Sequence, residues 1–139
     1  MFDYELTDKA KRTLLTLSVV LYAISLFLFS GAGLGLLCLL LGWFELFSSP
    51  LNGVAWLANP AVFSAWLSVS ARWSTAARVL SIVAVALGGS WIFRHNAITN
   101  EGGIPEMVPL KVGYWVWLTS LTLTVFSAFF GVRDAETEK

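Results

Sequence analysis

GWFELFSSPLNGVAWLANP, residues 42–60, is apolar enough for a bilayer and broken enough for a loop, and it carries one acid, Glu45. It ends one apolar segment (34–47) and begins another (54–71), so the number of spans turns on it. Ser49-Pro50 and Asn52-Gly53 are turn chemistry, with Ser or Asn capping and Gly free to adopt a positive φ. A helix running only from Pro60 to Arg72 would rise ~18 Å, short of the ~30 Å hydrocarbon core. Residues 55–58 must therefore share the apolar environment. Asn59 can cap this helix or bond a carbonyl that Pro60, lacking an N–H, leaves unpaired.

The rest of the chain sets that environment. Of 139 residues, 57% are apolar and 13% charged, with a mean hydropathy of +0.73, too few charges to cover a soluble domain of this size. Between residues 13 and 71 the only charged side chain is Glu45, and 79–93 and 112–132 carry none. This pattern predicts an integral membrane protein. The formal net charge is zero, so no field favours nucleic acid. Cys38 is the one cysteine, sits in an apolar run and reads as a packing residue. Asp3, Glu5 and Asp8 interrupt the basic head made by Lys9, Lys11 and Arg12, so the first apolar segment reads as a retained signal anchor.

Spans are expected at about 14–30, 54–71, 75–93 and 113–132, with Thr7 or Asp8 opening the first helix and Ser74 capping the third. Two topologies compete. If 34–47 does not cross, Lys9, Lys11, Arg12, Arg72, Arg78, Arg133 and Lys139 share the cytoplasmic side against Arg94 and Lys111, seven to two. If it crosses, the split is five to four. Positive charge accumulates in cytoplasmic loops, so the first arrangement is favoured. The expectation is a single domain over 1–139: an all-α, four-helix transmembrane bundle, N-in and C-in, with a short embedded helix at 34–47 and an extracytoplasmic, hairpin-like loop at 94–111.

Helices in lipid associate through small and polar residues, since lipid tails are as apolar as leucine. Three stripes at helical spacing meet this need: Ala61, Ser64, Ser68 and Ala71; Ala77, Ser81, Ala84 and Gly88; and Ser120, Thr124, Ser127 and Gly131. Packing is a better explanation for them than a polar conduit. The tryptophans are placed unevenly. Trp43, Trp56, Trp91, Trp115 and Trp117, with Tyr114, fall at the outer face, and Trp73 at the inner one. An aromatic belt accounts for part of this, and the excess on one side marks a docking surface for a partner helix or lipid.

No catalytic constellation is visible. His95 is the one histidine and reads as an interfacial loop residue. No cluster with metal-ligand spacing appears, and no cofactor is implied. GAGLG (31–35) has no following Lys, so it reads as a turn or packing element rather than a phosphate loop. In the outer loop, Glu101-Gly102-Gly103 lies between Ile98 and Ile104, with Met107 and Val108 beyond. That pattern reads as a hairpin whose ladder is limited by Pro105 and Pro109 and whose apolar residues face the helix ends. Glu45 is placed at the outer end of the embedded helix, within reach of Arg94 and Lys111, and pairing or headgroup contact is its expected role. The candidate outer-face interaction residues are Trp43, Glu45, Trp56, Asn59, Trp91, Arg94, Lys111, Tyr114, Trp115 and Trp117.

AWLANP (55–60), NEGG (100–103) and GYWVWL (113–118) resemble elements of uncharacterised small bacterial multi-pass inner-membrane proteins of similar length. In that group a Trp-Leu-Ala-Asn-Pro element precedes the second span and a Gly-Tyr-aromatic-x-Trp-Leu element opens the last. The resemblance covers about residues 36–131. It implies the topology above and a bacterial inner membrane, and it brings no activity. The functional expectation is a protein that acts by binding, as an accessory subunit of a membrane complex or a toxin-immunity-type protein, and not an enzyme. Its expected partners are membrane lipids and a membrane protein or a second copy of itself. The alternative is a small oligomeric transporter or channel with Glu45 as its membrane acid.

Overall fold

The computed structural model describes residues 2–94, 98–99, 105–106 and 109–130. Its helices, in chain order, are α1 (Phe2–Leu26), α2 (Gly35–Leu41), a 3-10 turn (Gly42–Phe44), α3 (Glu45–Ser48), α4 (Pro50–Gly53), a second 3-10 turn (Val54–Leu57), α5 (Ala58–Ser70), α6 (Ser74–Arg94) and α7 (Val112–Phe129). Two helical stretches, Ser74–Phe93 and Val112–Phe129, are long and apolar enough to cross a membrane, and Gly35–Ser48 and Val54–Ser70 are shorter apolar stretches.

α1, α5, α6 and α7 pack together, with α1 antiparallel to α7, α6 antiparallel to both α5 and α7, and α5 parallel to α7. Lys11 and Ser18 of α1 meet Ser127 and Ser120 of α7, and Tyr22 of α1 meets Asn59 of α5. Gly88 of α6 meets Tyr114 of α7. One end therefore collects the C-termini of α1 and α6 with the N-termini of α5 and α7.

The interior is small and hydroxylated. Ser18, Ser81, Ser120, Thr124 and Ser127 are wholly buried alongside Ala58, Val62, Ala65, Ala84 and Leu121. Large aliphatic and aromatic side chains face outward instead: Leu17, Val20 and Ile24 on α1, Leu67 on α5, Val79 and Ile82 on α6, and Phe126 on α7. This distribution is the reverse of a water-soluble core.

Of the three expected stripes, the second holds for all four residues, with Ala77, Ser81, Ala84 and Gly88 all buried. The third holds for Ser120, Thr124 and Ser127, while Gly131 lies outside the described residues. The first is displaced. Ser64 and Ala71 are exposed, and the buried face of α5 is Ala58, Val62, Ala65 and Val69, with Asn59 and Ser68 beside it. α5 carries small residues around most of its circumference, and its packing on α6 and α7 selects which face is inside.

The boundaries also shift. α1 is helical from Phe2, ahead of the expected start at Thr7 or Asp8, and an Arg12–Asp8 ion pair (2.9 Å) braces its first turns. Ser74 is the first residue of α6, not its cap. α5 closes through Arg72, whose φ of 61° lets the Trp73 N–H reach the Ser68 carbonyl (2.8 Å). This is the C-terminal motif that glycine usually serves.

The segment from α2 to the second 3-10 turn is broken several times. α2 spans seven residues, followed by the 3-10 turn and the four-residue α3. Fourteen helical residues rise ~21 Å, and the chain then folds back on itself. Gly53 lies against the Glu45–Leu46 backbone, and Gly42 against the Trp56 ring, where a Cβ would come within 2.6 Å. A turn at 30–33 sets the direction of α2. Gly31 takes a φ of 117°, the Ser30 N–H donates to the Gly33 carbonyl (2.9 Å), and Gly35 packs directly on the Ser25 carbonyl.

Between α6 and α7, β1 (Ile98–Thr99) pairs antiparallel with β2 (Pro105–Glu106), placing Thr99 opposite Pro105. The hairpin form expected for this loop is present over those residues. Glu101, Gly102, Gly103, Ile104, Met107, Val108 and His95 lie outside the described residues.

Candidate functional site

The site is built outward from Asn59. Pro60 has no N–H to offer the Trp56 carbonyl one turn earlier, and Asn59 supplies the missing donor from its side chain, Nδ2 to Trp56 O at 3.0 Å. That bond fixes the amide orientation, so Oδ1 points into the bundle. There it accepts the Tyr22 hydroxyl (2.7 Å) and the Trp117 indole N–H (3.1 Å). One carboxamide thus ties together α1, α5 and α7, with both acceptor positions of Oδ1 and one N–H of Nδ2 in use.

Above this knot lies a cavity of about 460 Å³. Its floor is Tyr22, Asn59 and Trp117. Its walls include Trp56, Trp91 and Tyr114, and its lid is the broken segment from Ser30 to Gly53, including Cys38 and Glu45. The wall residues are held by their own bonds. The Trp56 indole donates to the Leu39 carbonyl (2.9 Å), joining the two arms of the folded-back segment. The Tyr114 hydroxyl donates to the Gly88 carbonyl (2.9 Å), and Ser30 donates to the Gly33 carbonyl (3.0 Å). α7 is fixed against the α1–α2 turn by its Gly113 N–H, which reaches the Phe29 carbonyl (3.0 Å).

One turn below, the bundle is closed. Ser18 Oγ and Thr124 Oγ1 lie 2.7 Å apart, and the Trp66 indole N–H is shared between them at 3.1 and 2.9 Å. Trp66 and Phe63 also pack edge-on against Tyr22, each with centroids 5.3 Å away. The residues lining the cavity reach no deeper than Tyr22, Asn59, Trp91 and Trp117, so the cavity is blind toward the middle of the bundle.

No family model, curated protein or solved structure matches this chain. The site therefore has to be read from its own chemistry.

Of the ten outer-face candidates, the cavity gathers six: Glu45, Trp56, Asn59, Trp91, Tyr114 and Trp117. Trp43 is stacked on Phe44 (3.9 Å) and Trp115 is 48% exposed, so both are outside it. Trp56 and Trp117 direct their indole N–H groups inward, to Leu39 and Asn59, rather than toward a headgroup layer. The expected Glu45–Lys111 pair is not formed. The Lys111 ammonium lies over the Phe29 ring (5.8 Å), and the one ion pair among the described residues is Arg12–Asp8. The Arg94 side chain lies outside the described residues.

Tyr22, Ser30 and Cys38 complete the site and were not legible as site residues. Tyr22 is the single tyrosine in the apolar part of α1, and that isolation was the available signal. Among the described residues no three His, Cys, Asp or Glu side chains come together.

Proposed function

We propose that the chain is a small polytopic protein of the bacterial inner membrane, a four-helix transmembrane bundle with both termini in the cytoplasm, that acts by binding at its outer end. The membrane reading is supported by the reversed interior, hydroxyls and alanines inside with leucine, valine and phenylalanine outside. The orientation rests on the seven-to-two distribution of basic residues and the inner membrane on the sequence resemblance. The single observation that carries binding is the blind aromatic cavity over Asn59. A pocket of a few hundred Å³ with a few fixed polar groups is the usual form of a ligand site. In that role the protein is an accessory subunit of a membrane complex or a toxin-immunity-type protein.

The transporter reading draws on Glu45, which does line the cavity. Against it, the hydroxyl stripe that would form a path is used in helix packing, at Ser18, Thr124 and Ser127.

The test is purification in a mild detergent followed by mass spectrometry of retained lipids and proteins, in parallel with proteoliposome flux assays. Binding predicts a retained molecule that is lost on Asn59→Leu, with no flux. Proton or ion flux that collapses on Glu45→Gln, with nothing retained, would sink it. Orientation is checked with single cysteines on a Cys38→Ser background. A cysteine replacing Trp73 should label only from the cytoplasmic side and one replacing Ala32 only from the opposite side.

A further inference from the structure

We propose that the outer cavity is selective for a monovalent lipophilic organic cation. The inference rests on the binding reading above and names the chemical class that the cavity takes. It follows from the donors and charges of the lining. Five aromatic side chains, Tyr22, Trp56, Trp91, Tyr114 and Trp117, contribute to the surface. Among the described residues, the only charged group there is Glu45, and no lysine or arginine lines the space.

The remaining polar side chains have little to give a ligand that needs hydrogen-bond donors. Tyr22 and Trp117 donate to Asn59, Trp56 to Leu39, Tyr114 to Gly88, Ser25 to the Tyr22 carbonyl and Ser30 to the Gly33 carbonyl. The Asn59 amide gives one of its two N–H groups to the Trp56 carbonyl, so a single side-chain N–H is left on the floor. An anion or a sugar would have to break these bonds to be held, leaving buried groups unpaired at about 1–3 kcal/mol each.

A delocalised cation needs none of them. It is attracted to the negative faces of indole and phenol rings and neutralised by a carboxylate. Glu45 is exposed on the lid, and among the described residues no cation pairs with it. Such a site takes an apolar body into the ring-lined space while its charge stays near the lid.

The experiment uses the full chain in detergent and two probes of the same shape and opposite charge, tetraphenylphosphonium and tetraphenylborate. Binding is read by tryptophan fluorescence and by protection of Cys38, itself a lining residue, from alkylation by N-ethylmaleimide. Tetraphenylphosphonium should bind saturably and slow Cys38 alkylation, and tetraphenylborate should do neither. Glu45→Gln should weaken the phosphonium by about tenfold, with unchanged circular dichroism, and Glu45→Asp should retain most of the affinity. Equal binding of the two ions, or full affinity in Glu45→Gln, overturns the charge selectivity while leaving a pocket for neutral amphiphiles. Failure of both ions to protect Cys38 overturns the cation site as well. The broader binding reading is decided separately, by the molecules retained on purification.

Discussion

The Tyr22 hydroxyl donates to Asn59 Oδ1 at 2.7 Å, a bond between α1 and α5 made where both residues are buried. The same oxygen also holds Trp117. The two partners are therefore not equivalent. Tyr22→Phe removes one donor and leaves Asn59 with Trp117, for an expected loss of about 1 kcal/mol. Asn59→Ala strands the Tyr22 hydroxyl and the Trp117 N–H together, and the expected loss is about 2–4 kcal/mol. Thermal unfolding in detergent should rank Asn59→Ala well below Tyr22→Phe, and the double variant should cost less than the sum. Equal losses for the two single variants would show that Asn59 is not the hub.

A second prediction concerns the shared indole N–H of Trp66. Because Ser18 and Thr124 both accept it, either Ser18→Ala or Thr124→Val leaves one acceptor in place. Each single change should cost about 0.5–1 kcal/mol, within the range for polar contacts between membrane helices. The double variant orphans the N–H and should cost more than the sum of the two. Ser120→Ala is the control. Its Oγ is buried without a partner, so its removal should leave stability unchanged or slightly raised. Denaturation in mixed detergent measures all four.

How much of this was legible depended on whether one helix alone carried the signal. The Ala77, Ser81, Ala84 and Gly88 stripe is readable because between Val79 and Leu87 the only other small residue is Ala86, so one face stands out among valine, leucine and isoleucine. On α5 the small residues lie on more than one face, so 61, 64, 68 and 71 satisfied the spacing as well as the face that is buried. Asn59 and Pro60 were readable as a pair because a proline creates its own unmet carbonyl four residues back. Tyr22 and Trp66 were not. Their partners lie 37 to 58 positions away, on helices whose rotation no local pattern specifies. The Glu45–Lys111 pair failed for the same reason, since sharing one side of a membrane does not bring two side chains within contact.

Neighbouring glycines give a third prediction. A Cβ at Gly88 would come within 2.8 Å of the Leu121 side chain and 3.1 Å of Trp117, whereas one at Gly89 meets nothing within 4 Å. Gly88→Ala should therefore destabilise by about 1–3 kcal/mol through overpacking. Gly89→Ala should be neutral or stabilising by up to about 1 kcal/mol, because alanine favours the helix. Gly113→Ala should be the worst of the three, since the obstacle is the Phe29 carbonyl at 2.7 Å and backbone cannot rotate away. Melting temperatures in the order Gly89→Ala, Gly88→Ala, Gly113→Ala, from highest to lowest, are expected, and any other order contradicts the packing of α7 on α6 and the α1–α2 turn.

The last prediction is set by Arg72, the one non-glycine residue with positive φ among those described. The left-handed conformation costs an L-residue with a Cβ about 1 kcal/mol, and glycine is nearly free of that cost. The turn keeps it because the Trp73 N–H must reach Ser68 for α5 to end and α6 to begin at once. Arg72→Gly should accordingly raise the stability of the purified protein by about 1 kcal/mol, Arg72→Asn by less, and Arg72→Ala by nothing. In the proposed orientation the arginine is also one of the basic residues on the cytoplasmic side. Lys9, Lys11, Arg12 and Arg78 share that side in the proposed topology, so Arg72→Gly should keep its orientation in a cysteine-labelling assay while melting higher in detergent. A variant that melts lower would mean that the arginine side chain stabilises the turn by more than its backbone strain costs.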